Sequence, residues 1–153
     1  MADAQQQLDG FLAKFSPEVE ALAHALLTRL RRRLPGATMM VYDNYNALAI
    51  GFGPSDKVSR AVVSLAVYPR WVNLFFLHAV GLRDPEGLLK GEGSKVRHIR
   101  LTSPEAMDEP AVAALIAQAA ARADPPFDPD APGRLLIKSV QAKQRPRRPP
   151  VSP

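Results

Sequence analysis

At 153 residues and 46% hydrophobic composition, the chain suits one compact globular domain. It holds no cysteine, which excludes disulfides, thiolate metal sites and cysteine nucleophiles and fits a reducing, cytoplasmic location. The net charge of +5 is local: Arg134, Lys138, Lys143, Arg145, Arg147 and Arg148 close the chain without an acid, and removing these six of 20 cations leaves 14 against 15 acids.

A partner drawn by charge is therefore expected at the C-terminal end rather than across the body. No apolar run approaches the roughly 20 residues that cross a bilayer. Met1 to Gly10 lacks the charged-then-apolar pattern of a secretion signal, so no membrane partner is expected.

In chain order, Leu8, Phe11, Leu12 and Phe15 repeat at helical spacing and predict a short amphipathic helix over Gln5 to Phe15. Ser16-Pro17-Glu18 has the chemistry of a helix start: a hydroxyl cap, proline in the first turn and an acid at the positive end of the dipole. The stripe Val19, Leu22, Ala23, Leu26, Leu27 and Leu30 follows. Arg31, Arg32 and Arg33 occupy the last turn, where the dipole favours cations, and Pro35-Gly36 ends it.

From Thr38 the period changes to two. Asn46, Leu48, Ile50 and Phe52 alternate with small residues, and Ala61 to Tyr68 and Trp71 to His78 read as two strands joined by Pro69-Arg70. A two-residue turn there sets a register. Val67 opposes Val72, Leu65 opposes Leu74 and Val63 opposes Phe76, all on one apolar face that should meet the helices. The other face receives Tyr68 with Trp71, Ala66 with Asn73 and Ser64 with Phe75.

Val80 to Lys95 reads as a long connection with a helical turn at Pro85 to Leu89. In the strand Val96 to Leu101, Ile99 and Leu101 face the core and His98 and Arg100 the other side. Pro110 to Ala123 reads as a helix, Asp124 to Gly133 as an extended connector and Arg134 to Val140 as the last strand. The fold class is α+β: an antiparallel sheet of about five to six strands packed on N-terminal helices and a C-terminal helix. Residues 1–140 form that single domain, and 141–153 are expected to be a flexible basic tail rich in Pro and Arg.

No catalytic residue, metal-ligand set or cofactor emerges. Gly91-Glu92-Gly93-Ser94-Lys95 lacks the glycine interval and the following helix of a phosphate loop. His24, His78 and His98 are isolated from one another. The open sheet face is the main ligand-binding candidate, because aromatic walls with a few convergent polar groups suit a small ligand. Its residues are Tyr68, Trp71, Asn73, Phe75, His98 and Arg100. A small anionic molecule, or a second subunit forming a homodimer, would occupy it. The alternative is weak, sequence-blind nucleic-acid association through Lys143, Arg145, Arg147 and Arg148.

The chain resembles the YdhG-like family, small bacterial domains of unknown function, over roughly Leu8 to Val140. The resemblance rests on Leu34-Pro35-Gly36-Ala37, Tyr42-Asp43-Asn44-Tyr45, Tyr68-Pro69-Arg70-Trp71-Val72-Asn73-Leu74-Phe75-Phe76 and Asp84-Pro85-Glu86-Gly87-Leu88-Leu89. Its most specific piece runs from Gly91 through Lys95-Val96-Arg97-His98 to Leu101, followed by Leu136-Ile137-Lys138-Ser139-Val140. It implies a compact α+β domain with an antiparallel sheet covered by helices, and no activity. Some relatives are described as frataxin-like iron chaperones. That function needs an acidic helix surface, whereas here Glu18 and Glu20 are followed by four arginines.

Overall fold

A computed structural model describes Asp3 to Pro150. Helix α1 spans Ala4–Leu12 and α2 spans Pro17–Arg33. Strands β1 (Thr38–Asp43), β2 (Leu48–Gly53), β3 (Val63–Val67), β4 (Val72–Phe76) and β5 (Arg97–Leu101) precede α3 (Pro110–Ala121) and β6 (Leu135–Val140). Short 3-10 turns cover Val58–Arg60 and Pro104–Asp108. The fold is α+β, with one six-stranded sheet in the order β5-β4-β3-β2-β1-β6.

The helix starts follow their local chemistry. Asp3 caps α1 in a reciprocal box with Gln6, so α1 begins earlier than the apolar spacing alone predicts. It also ends earlier, at Leu12, with Ala13 to Phe15 turning towards the next cap. Ser16 accepts from the Val19 N–H at 3.4 Å with Pro17 in the first turn, as its sequence implies. Beyond α2, Gly36 takes φ +80°, and the Asp128 carbonyl of the connector occupies the space a Cβ would need. That glycine therefore serves both the turn and the passage of the connector.

The β3–β4 hairpin has the expected register: Val67 opposite Val72, Leu65 opposite Leu74 and Val63 opposite Phe76. Val41, Ile50, Leu65, Leu74 and Ile99 make one row across five strands, all buried. They share a single core cluster with Leu12, Phe15, Leu26 and Leu30 of the N-terminal helical region and Leu115 and Ile116 of α3. The helical layer thus lies on the uniformly apolar face. Buried Met40, Ala47, Ala61 and Ala66 stand outside that cluster, on the other side of the sheet or at its margin.

Two details depart from expectation. Pro85 to Leu89 is not helical; the Asp84 carboxylate accepts from the N–H groups of Leu88 and Leu89 at 2.9 Å each, building a side-chain-capped turn. The sheet is antiparallel from β5 to β1, but β6 pairs parallel to β1, with a register shift between Val41 and Tyr42. A parallel neighbour needs a long crossover. Here α3 and the connector supply it, returning the chain to the opposite edge of the sheet.

The arginines of α2 have a partner from outside the helix. Arg29 Nε and an Arg33 terminal nitrogen each donate to Asp108 at 2.9 Å, and both guanidinium groups hold its carboxyl below the usual carboxylate range. A depressed carboxyl pKa contributes stability that is present above the unfolded value and lost as pH falls through the folded one. Thermal unfolding of Asp108→Asn beside the parent should therefore show a constant gap from pH 7 to 5. The gap should close below the ordinary carboxylate pKa of roughly 3.9; a gap independent of pH would show that the pair does not contribute.

Candidate functional site

The open face of the sheet follows from strand parity. One row runs Arg100, Asn73, Ala66, Ala49, Tyr42 and the next His98, Phe75, Ser64, Gly51, Met40. Neither row holds a carboxylate. Its middle is floored by Ala49, Gly51, Ser64 and Ala66, with larger side chains on both sides, so the surface dips into a trough. Trp71 stands at one end, 36% exposed, 6.0 Å from the Tyr68 ring and with the Arg100 guanidinium over it at 4.2 Å. Phe75 and His98 stack at 5.2 Å. Asn73 is only 6% exposed, and its Oδ1 is buried without a hydrogen-bond partner. Burial also pushes the Tyr68 and Tyr42 phenols up, so both stay protonated near neutral pH, and the Tyr42 hydroxyl too is unpartnered.

All six candidate sheet residues thus share one face, but they are not equally accessible. Asn73 sits between Trp71 and Phe75 along β4 and between Ala66 and Arg100 across the sheet. The helices pack on the opposite face, so its burial comes from neighbouring side chains of its own face.

The C-terminal segment is placed differently from the solvated arm that its composition suggests. Val151 to Pro153 lie outside the described residues, but Gln141 to Pro150 return along the end of β1. The N–H of Gln141 donates to the Asp43 carbonyl at 2.9 Å, and that of Arg145 to the Tyr45 carbonyl at 2.9 Å. Arg147 is 5% exposed. Its guanidinium donates to Asp43 Oδ1 at 2.8 Å and to the Asn44 carbonyl, and lies 5.7 Å from the Phe15 ring.

Asp43 supplies the reason. It occupies the row of Leu48, Val67, Val72 and Leu101, the apolar parity of the sheet, and is fully buried. A carboxylate there needs a cation. Arg147 provides it from 104 residues away, with Lys14 Nζ at 3.6 Å from the second oxygen. Arg147 is therefore not a free nucleic-acid contact. Lys143 and Arg145 remain exposed, with Arg145 5.6 Å from the Tyr45 ring, and Arg148 donates to the Lys14 carbonyl at 3.2 Å.

This docking brings the two sets of candidate residues together. Tyr68, Pro69, Arg70 and Trp71 of the β3–β4 turn and Arg145, Pro146, Arg148, Pro149 and Pro150 of the C-terminal segment line one cavity of about 630 Å³ with Asn46. Three arginines and no acid line it; of these, Arg148 donates to the Lys14 and Ala13 carbonyls and Arg145 lies beside the Tyr45 ring. Arg70 makes no hydrogen bond or ion pair among the described residues. Tyr68 and Asn46 also line the trough proper, a space of about 530 Å³ that continues to Phe75 and Leu77. Sequence reasoning missed Asn46, Arg70 and the Asp43–Arg147 pair; an acid on apolar parity was the one available signal.

Other features carry less. The Gly91 and Gly93 carbonyls accept from Arg97 at 2.6 and 2.5 Å, so the glycine loop turns acceptors inward where a phosphate cradle would offer N–H groups. Among the described residues no group of three His, Asp or Glu side chains can hold a metal. No helix of the described residues is long and apolar enough to cross a membrane. Comparison with known protein families, curated proteins and solved structures finds no match.

Removing one partner of a buried ion pair strands the other charge. Arg147→Met should cost about 3 kcal/mol in chemical denaturation, the low end for such pairs because a released segment lets water reach Asp43. The double variant Asp43→Leu/Arg147→Met should recover at least half of that loss. Parent-like stability of Arg147→Met would contradict this account.

Proposed function

We propose that this protein is a non-enzymatic binding module that holds a ligand bearing negative charge on the open face of its sheet, at the end where Trp71 and the C-terminal segment meet. One observation carries the reading: Tyr68 and Trp71 share a cavity with Arg70, Arg145 and Arg148, and no carboxylate lines it. Its volume suits a small organic molecule, and its mixed aromatic and cationic walls suit a flat body with an anionic group. Arg70 needs no release from another partner to engage it. The YdhG-like assignment and a cytoplasmic location belong to the same proposal, resting on the sequence motifs and the absence of cysteine.

A homodimer through this face is disfavoured by charge. A two-fold interface sets a patch against itself, which would bring Arg70, Arg100, Arg145 and Arg148 of two copies together. An iron-carrying role lacks the acidic surface it requires.

Trp71 is the only tryptophan, so its emission reports this site without background. Titration with a panel of aryl carboxylates and aryl phosphates should shift that emission saturably. Arg70→Gln and Arg145→Gln should each weaken the response about tenfold or more, the range for a lost charge-assisted hydrogen bond. Unchanged emission across the panel would overturn the reading.

A further inference from the structure

Among the described residues only two Phe, Tyr or Trp rings are exposed, Tyr45 at 41% and Trp71 at 36%. They flank the same surface, and each is accompanied by a guanidinium: Arg145 at 5.6 Å from Tyr45 and Arg100 at 4.2 Å from Trp71. The cavity beside Trp71 and the trough beside Tyr45 share Asn46 and Tyr68, so the two spaces adjoin. Both rings lie just beyond the row Asp43, Leu48, Val67 and Val72, on the β1–β2 and β3–β4 connections at one end of the sheet, so about two strand spacings, on the order of 10 Å, separate them. That separation exceeds what a single small anion would bridge.

The lining chemistry is consistent across both spaces. No carboxylate lines either; Arg70, Arg145 and Arg148 line the one beside Trp71, and Asn44, Asn46, Ser64 and Gln141 offer amide and hydroxyl groups in the other. The floor of Ala49, Ser64 and Ala66 leaves room for something flat to lie in the trough. Repeated flat rings linked by repeated negative charge are the chemistry of unpaired nucleotides, whose bases stack on aromatic side chains while phosphates meet arginine. A duplex hides its base faces and would engage only the cations.

From this arrangement we infer that the ligand class of the open face is single-stranded nucleic acid. Bases stack at Trp71 and Tyr45, and the backbone phosphates meet Arg70, Arg100, Arg145 and Arg148. The inference rests on the open-face reading above and names its occupant. It differs from attraction to a basic arm because the exposed rings contribute as much as the charges.

Fluorescence anisotropy of labelled ten-nucleotide single strands, RNA and DNA, with the full chain tests it. Binding should weaken with salt at a log–log slope of about −3, as expected for four phosphate contacts on a single strand. Trp71→Ala and Tyr45→Ala should each reduce affinity roughly 5- to 150-fold, the range for loss of one stacked base. Circular dichroism will verify that these exposed positions leave the fold intact. Lys57→Gln, a change of one charge away from the trough, should stay within twofold. Equal affinity for a duplex of the same sequence, or full retention of binding in both ring variants, overturns the inference. Trp71 emission that responds to aryl phosphates without any oligomer binding overturns it while leaving the open-face reading standing. No response to either ligand class overturns both.

Discussion

A carboxylate on the apolar side of a sheet is the constraint around which this molecule is arranged. Asp43 sits in a row of Leu, Val and Leu side chains, fully buried, and a charge so placed persists only with a counter-ion. Arg147 and Lys14 supply positive charge from opposite ends of the chain. Because Arg147 must reach inward, the residues around it cannot drift. Arg145, Pro146, Arg148 and Pro149 are carried to the β3–β4 turn, where they complete a wall beside Trp71. The pair contributes little net stability against an apolar alternative. Its effect is to specify where an otherwise unstructured sequence goes.

The sheet has two faces of different character for a simple reason. Side chains alternate along each strand, so a register set at Pro69-Arg70 sorts every residue of the hairpin and its neighbours to one side or the other. The helical face received bulk: Leu65, Leu74, Ile50 and Val41 against three helices. The open face received small residues in the middle and aromatic or cationic ones at the margin. That distribution makes a trough without any helix or loop having to form one.

Much of this was legible in the residues. Period-two alternation and a two-residue turn specify the hairpin register directly, and Ser16-Pro17 marks the start of α2, because both signals act over a few positions. The pairing of Tyr68 with Trp71 and of Phe75 with His98 on one face follows from the same parity. What was not legible depends on distance along the chain. The parallel pairing of β6 with β1 joins elements nearly a hundred residues apart, and local pattern does not distinguish it from an antiparallel edge. Arg33 looked satisfied by the helix dipole, yet together with Arg29 it meets Asp108 from a turn that no periodicity announces. The tail was the least legible: a run of Pro and Arg has the composition of a disordered segment, and its partners here, Asp43 and the carbonyls of Tyr45 and Lys14, lie far away in sequence.

The Asp43 carboxylate also links three stretches of chain, the turn after α1 through Lys14, the end of β1, and the segment around Arg147. Cutting the chain after Val140 would consequently do more than subtract positive charge. It would leave the Asp43 carboxylate with Lys14 alone and strip one side from the recess beside Trp71, so a shortened protein differs from the parent in shape as well as in electrostatics. Neutralising exposed arginines singly, with Arg147 left in place, is the cleaner way to separate those two contributions.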